Sequence, residues 1–210
     1  GLKRAFMDET LLWKKAQLLL LLKQPDESIK VQNLLVGLIT ADADKMLRLA
    51  LLQRESTDLA ASGQSLQNAL LLAPQHKLLQ LELVNHYLIT EQYSKAEQQL
   101  KQLTAKFPSD PNILMLQADI AAAQQQYEAA RTVYLKAIAQ DPQFRLAWVK
   151  LYQLAKSGYG TRAFADAAQQ ALNTSNDASW LRRLLAEHYV NQQQTAEAIT
   201  MYETLLANGD

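Results

Sequence analysis

Three histidines, His76, His86 and His188, are the side chains best suited to move protons or hold a metal ion. None belongs to a His-x-x-x-His or Glu-x-x-His pair, the spacings that put two ligands on one helix face. No metal site is therefore expected. His86 and His188 each precede a tyrosine, Tyr87 and Tyr189, which reads as repetition of a local pattern and not as a catalytic pair. Cysteine is absent, which removes disulfides, thiolate metal sites and cysteine nucleophiles. Serine and aspartate are plentiful, but no Gly-x-Ser-x-Gly elbow presents a serine as nucleophile. Gly158 and Gly160 form a lone Gly-x-Gly without a third glycine or a Lys-Ser, so no phosphate-cradling loop is expected. The chemistry legible in the residues is that of a non-enzyme without cofactor or metal.

The bulk composition agrees. The chain has 210 residues, 49% of them hydrophobic and 20% charged, which suits a folded protein and excludes wholesale disorder. Lys plus Arg and Asp plus Glu are both 21, so the net charge is zero. A nucleic-acid binder would show a basic excess, because neutralising phosphates drives its affinity. The longest strongly apolar run, Leu18 to Leu22, follows Lys14 and Lys15 and is far short of the ~20 residues of a membrane span. It is expected in a buried helix, so no direct membrane insertion is anticipated. Six glycines and five prolines are too few for an all-β fold, whereas Leu, Ala and Gln favour helices.

The elements that position these residues repeat. Pro74, Pro108 and Pro142 are spaced 108 − 74 = 34 and 142 − 108 = 34. Each closes an apolar-periodic stretch, as expected of a residue that lacks an N–H and disfavours helix in its predecessor. With this proline as position 32, units run 43–76, 77–110, 111–144, 145–178 and 179–210. Position 8 reads Ala50, Val84, Ala118, Tyr152, Ala186, and position 20 reads Ser62, Ala96, Ala130, Phe164, Ala198. Two antiparallel helices approach to about 8–10 Å only where the crossing residues are small, so these two positions mark the crossing. Position 27 is a further close approach, small at Ala69, Ala137 and Ala171. Larger residues at position 24 (Leu66, Leu100, Tyr134, Tyr202) and at position 4 (Leu114, Trp148) fill the space between hairpins. A hairpin cannot bury its own apolar face, so several must stack. Residues 1–42 read as a degenerate helical hairpin, with one helix from about Asp8 to Lys23 and a second opened by Pro25-Asp26-Glu27.

This 34-residue frame, with its small residues at 8, 20 and 27, aromatic residues at 24 and proline at 32, resembles the tetratricopeptide repeat family. Tyr93 and Tyr127, opening second helices, strengthen the likeness. The chain departs from the family where polar residues (Thr90-Glu91-Gln92, Gln124-Gln125-Gln126) replace the usual glycine of the hairpin turn. It departs again at Phe164, which is large, beside the turn Ser157-Gly158-Tyr159-Gly160. That hairpin is expected to open wider, or its second helix to shift by a residue. The resemblance implies an all-α fold, a right-handed superhelix or α-solenoid of antiparallel hairpins. The strings Tyr127-Glu128-Ala129-Ala130 and Ala196-Glu197-Ala198-Ile199 are also similar to repeat lipoproteins that accompany exosortase exopolysaccharide systems. That likeness implies a bacterial envelope setting, periplasmic or outer-membrane associated, with the cytoplasm as the alternative. The chain starts at Gly1 and stops on a repeat boundary, so the expectation is a fragment of a longer array.

In the family, first helices line a concave face, and positions 2, 5, 9, 12 and 13 meet the ligand. Carried over, these are Leu78, Leu81, Asn85, Leu88 and Ile89; Asn112, Met115, Asp119, Ala122 and Ala123; Leu146, Val149, Gln153, Lys156 and Ser157; and Trp180, Arg183, Glu187, Val190 and Asn191. Members that clamp a carboxylate terminus use cations at positions where Leu78, Leu81 and Glu82 stand here, so a carboxylate clamp is not expected. Of the three tryptophans, Trp148 is expected in the core and Trp180 on the surface. The expected partner is another protein, laid as a helix or extended segment along a mixed apolar and polar groove. Two alternatives stand beside this. One is a self-assembling array whose end hairpins stack on a second copy, and the other is the superhelical segment of a larger regulatory protein or enzyme.

Overall fold

The computed structural model describes residues 8–39, 41–174 and 178–209. Those residues form twelve helices in consecutive hairpin pairs, with no strand among them. The first helices are α1 (Glu9–Leu21), α3 (Ala43–Glu55), α5 (Lys77–Ile89), α7 (Pro111–Ala123), α9 (Arg145–Lys156) and α11 (Ser179–Asn191). The second helices are α2 (Pro25–Leu38), α4 (Leu59–Leu72), α6 (Tyr93–Lys106), α8 (Tyr127–Gln140), α10 (Thr161–Thr174) and α12 (Thr195–Ala207). Every first helix begins 34 residues after the one before, and so does every second helix. The hairpin at 9–42 therefore keeps the same frame as the five that follow. Helices α4 and α8 stop two residues before Pro74 and Pro142, and α6 two before Pro108. Proline ends each of them as its missing donor dictates. Aspartate side chains cap α1, α3, α4 and α7, each accepting from backbone N–H groups of the first turn.

The chain forms two compact units, residues 1–99 and 100–210, divided within α6. In the first, Ala16 and Ala50 are fully buried at position 8 of their hairpins. Opposite them stand Ser28 and Ser62 at position 20, whose hydroxyls donate to the Ala16 and Ala50 carbonyls at 2.9 and 2.8 Å. The crossing is thus small and also hydrogen-bonded. Gln32 lies in the same buried seam and donates to Ser28 at 2.9 Å and to Ser56 at 2.5 Å. Between hairpins, Leu66, Ala69 and Leu70 of α4 pack with Leu79, Leu83 and Tyr87 of α5.

In the second unit Ala118, Ala130 and Ala137 are fully buried and α7 and α8 pack closely. The fifth hairpin, α9–α10, differs. Helix α10 starts at Thr161, in frame, so its sequence register does not shift. Helices α9 and α10 instead make far fewer close approaches than α7 and α8. The cause is bulk at the crossing. Phe164 lies edge-on to Trp148 at 6.3 Å and tilted against Tyr152 at 5.4 Å. Trp148 is completely buried, and its indole N–H donates to the Pro142 carbonyl at 3.0 Å. Gln80, at the same position 4, donates likewise to the Pro74 carbonyl at 2.6 Å.

Five hairpin turns share an unusual backbone. Lys23, Thr57, Glu91, Gln125 and Gln193, all at position 15, have φ between 58° and 63°. This left-handed conformation suits glycine, yet none of the five is glycine. The fifth turn, between α9 and α10, reaches the same reversal with Gly158 at φ 92° and Gly160 at φ 78°.

Candidate functional site

Positions 2, 5, 9, 12 and 13 fall at 100° steps that gather them on one side of a helix. On α5, in the first unit, Leu78 and Ile89 are exposed and Leu81, Asn85 and Leu88 are half-buried. Beside them Arg54 of α3 pairs with Glu82 at 2.7 Å. Glu82 therefore spends its charge within the repeat stack.

In the second unit, first helices α7, α9 and α11 are bridged along their length. Asp119 of α7 accepts from the Tyr134 hydroxyl at 2.5 Å and pairs with Lys150 of α9 at 3.2 Å. Burial, reinforced by this carboxylate, raises the Tyr134 pKa and keeps the phenol protonated. Asn191 of α11 donates to the Tyr152 hydroxyl at 2.7 Å, and the Glu187 carboxylate lies at the same hydroxyl. Burial and the Glu187 charge raise the Tyr152 pKa. The Arg145 guanidinium stands 5.1 Å from the centre of the Trp180 ring, a cation–π contact between α9 and α11.

On this framework the predicted residues divide into two groups. Asn112, Leu146, Gln153, Lys156, Arg183, Glu187 and Val190 are exposed, and Val149 is half-buried. Lys156 and Arg183 have no ion-pair partner among the described residues. Met115, by contrast, is 4% exposed and packs in the core with Tyr134 and Trp148. It presents no surface to a ligand, because its neighbours in the hairpin close over it. Asp119 is accessible but already holds Tyr134 and Lys150. Trp180 is half-buried against the core with its indole N–H enclosed and unpartnered. Sequence reasoning placed Trp180 on the surface and missed Lys150 and Tyr134 as partners of Asp119. The recurring ion pairs between successive first helices are the signal that would have found Lys150.

The histidines are structural. His86 packs so closely on α4 that a Cβ on Gly63 would lie 2.5 Å from its Nε2. His188 packs on Phe164, ring centres 4.9 Å apart. Both have a buried Nδ1 without a partner, and burial lowers both pKa values, helped at His86 by the Arg54 charge. His188 also floors an open polar hollow of about 570 Å³ edged by Thr161, Arg162, Asp166 and Gln192. Among the described residues no group of three or more His, Cys, Asp or Glu could hold a metal, and no helix is long and apolar enough to cross a membrane.

Helix pairs on a strict 34-residue frame, offering one exposed first-helix face, define a class of repeat scaffold. Residues 81–143 match the family model described as tetratricopeptide repeat. The match covers that stretch, and the same 34-residue frame extends through the other described hairpins. No curated protein matches it significantly. Among solved structures it is similar to MamA, residues 41 to the end, from Desulfovibrio magneticus RS-1. The identity is 18%, covering 82% of this chain and 99% of that one, with a TM-score of 0.57. A tetratricopeptide repeat protein from Parabacteroides merdae is 13% identical over 96% of this chain and 79% of its own, with a TM-score of 0.64. A chain of the APC/C hetero-tetramer Cut9-Hcn1 is 16% identical over 95% of this chain and 40% of its own, with a TM-score of 0.60. At these identities the likeness is one of fold. It lends no support to the similarity with exosortase-associated lipoproteins.

Proposed function

We propose that the exposed face of α7, α9 and α11 binds a helical or extended segment of another protein. Tetratricopeptide repeat proteins generally mediate protein–protein interactions, and the Cut9-Hcn1 neighbour is itself part of a hetero-tetramer. The observation that carries the reading is the mixture on this face. The same face carries the exposed apolar residues Leu146 and Val190 and the exposed cations Lys156 and Arg183, which have no ion-pair partner among the described residues. Apolar anchors would supply the affinity and unpaired cations would select an acidic or carbonyl-rich segment. The bridges Asp119–Lys150 and Asn191–Tyr152 hold the helices in place, so the face is preorganised and loses little entropy on binding. An envelope-side assembly role is one setting for such a scaffold and rests on the resemblance of repeat strings alone.

The test is a selection from a displayed library of ~20-residue peptides, a length that spans several first helices. Selected peptides should be enriched in acidic and apolar residues. Their binding should fall at least about tenfold, roughly 1.4 kcal/mol, with Leu146→Glu and Arg183→Glu together. Lys136→Glu on α8 should leave it unchanged. Binders that ignore the first pair and respond to the second would refute the assignment.

A further inference from the structure

At two boundaries between hairpins the space beside the start of a second helix is filled. Between α4 and α5, Gly63 at position 21 leaves room that the His86 ring takes. Between α8 and α9, Tyr127 at position 17 stacks on Tyr159 of the following turn, ring centres 4.0 Å apart. Arg131, at position 21, lies so close over Gly160 that a Cβ there would strike its side chain. Between α10 and α11 the same two positions are Thr161 and Ala165, both small. The following turn, Gln192-Gln193-Gln194, carries no ring. Here the hollow of about 570 Å³ opens, within the range of small-molecule sites, about 300–1,000 Å³. Its walls are α10, α11 and the turn that joins α11 to α12, all inside the second unit.

Three hydrogen-bonding groups line this space. Helix α10 begins at Thr161, and its first-turn N–H groups carry the positive end of the helix dipole. No acceptor meets the Thr161 or Arg162 N–H among the described residues. The Arg162 Nε stands 3.5 Å from Asp166, its one ion pair among the described residues, so the terminal nitrogens remain for an anion. On the floor, His188 is 1% exposed and its Nδ1 is sealed without a partner. No hydrogen bond reaches its Nε2 among the described residues, and Nε2 is the nitrogen left to the hollow. A buried polar group without a partner is costly, and a ligand bonded to it removes that cost.

We infer that the hollow binds a small hydroxyaromatic acid. Its ring takes the space that Tyr127 and Tyr159 fill at the preceding boundary, its carboxylate meets Arg162 and the α10 N-terminus, and its hydroxyl bonds to His188 Nε2. None of these residues belongs to the α7, α9 and α11 face proposed for a protein partner, so the two assignments stand or fall separately.

Titration with para-hydroxyphenylacetate, followed through the His188 Cε1–H signal in proton NMR, tests this. The chain has three histidines, few enough to assign with single variants. The His188 signal should move to saturation. Acetate, which lacks the ring, and para-hydroxyphenylacetamide, which lacks the charge, should each bind at least about tenfold more weakly. Arg162→Gln should weaken the acid by a similar factor. Thr161→Tyr with Ala165→Arg, which copies the filling of the preceding boundary, should abolish binding. Neither position is fully buried, and circular dichroism checks that the variant stays folded. A His188 signal that does not move would overturn the inference. So would acetate binding as tightly as the aromatic acid, or binding that survives Arg162→Gln or the refilled hollow.

Discussion

The hairpin turns allow a sharp prediction. Thr57 sits at φ 63° in the α3–α4 turn, a conformation that a β-branched residue rarely adopts. Holding a residue with a Cβ there costs ~1–2 kcal/mol. Thr57→Gly removes that cost but adds ~0.5–1 kcal/mol of chain entropy in the unfolded state. The lost hydroxyl contact to the Ser56 carbonyl, 2.6 Å long and partly buried, subtracts up to about 0.5 kcal/mol, because Thr57 itself is exposed and the carbonyl keeps access to water. The net expectation is a gain of ~0.5–1 kcal/mol, which in a chain of this size raises the melting temperature by about 1–4 °C. Urea and thermal unfolding followed by circular dichroism would measure it. Thr57→Ala is the control, since it removes the hydroxyl and the branch but keeps the Cβ, and it should recover less than half of the gain. The reasoning fails if Thr57→Gly destabilises the protein, or if Thr57→Ala gains as much. The α9–α10 turn gives the mirror case. Gly158→Ala, at φ 92° with open space around it, should destabilise by ~1 kcal/mol.

Other expectations follow from burial. Ala118→Leu, at a fully buried crossing, should destabilise by ~1–3 kcal/mol through overpacking, read from the urea midpoint. Gly63→Ala should lower the melting temperature although alanine is the better helix former, because its Cβ would strike the His86 ring. In a His86→Ala background the sign should reverse, giving a gain of up to ~1 kcal/mol. His86 and His188 have folded pKa values below that of the unfolded chain, about 6.5. Below that pH the unfolded state binds protons that the folded state refuses, so stability should fall as pH drops from ~6.5 toward the folded values. The loss between about pH 7.5 and 5.5 should be smaller in the His86→Gln, His188→Gln double variant, measured by urea unfolding at both values.

The repeat was legible because proline and small residues answer to local constraints. Pro74, Pro108 and Pro142 marked helix ends two residues away, and Ala50, Ala118 and Ala130 marked the crossings, all of them buried. The hairpin at 9–42 was harder to read because Thr40, not proline, stands at its position 32. Its crossing keeps the pattern, since Ser28 is as small as Ser62 and likewise satisfies its hydroxyl on the facing alanine carbonyl. The turns misled in another way. Glutamine and glutamate at position 15 look unlike glycine but adopt its backbone conformation, because the packed helices on either side impose the reversal.

The candidate site was legible as a helix face but not residue by residue. Whether a side chain at position 5 points outward depends on how its neighbours close over it. Val149 remains accessible and Met115 does not. Asp119 shows the other limit. Its role as a brace between α7 and α9 depends on Lys150, 31 positions away, and on Tyr134 in the second helix. Pairing between hairpins cannot be read from one hairpin's spacing.

The central claim is that a partner protein meets the α7, α9 and α11 face. The most direct measurement places a photo-crosslinking amino acid at Gln153, at the centre of that face, or at Lys136 on α8, and irradiates each variant in the cells that make the protein. The account predicts a discrete protein adduct at Gln153, lost with Leu146→Glu and Arg183→Glu, and none at Lys136. Adducts at Lys136 alone, or equal adducts at both positions, would contradict it.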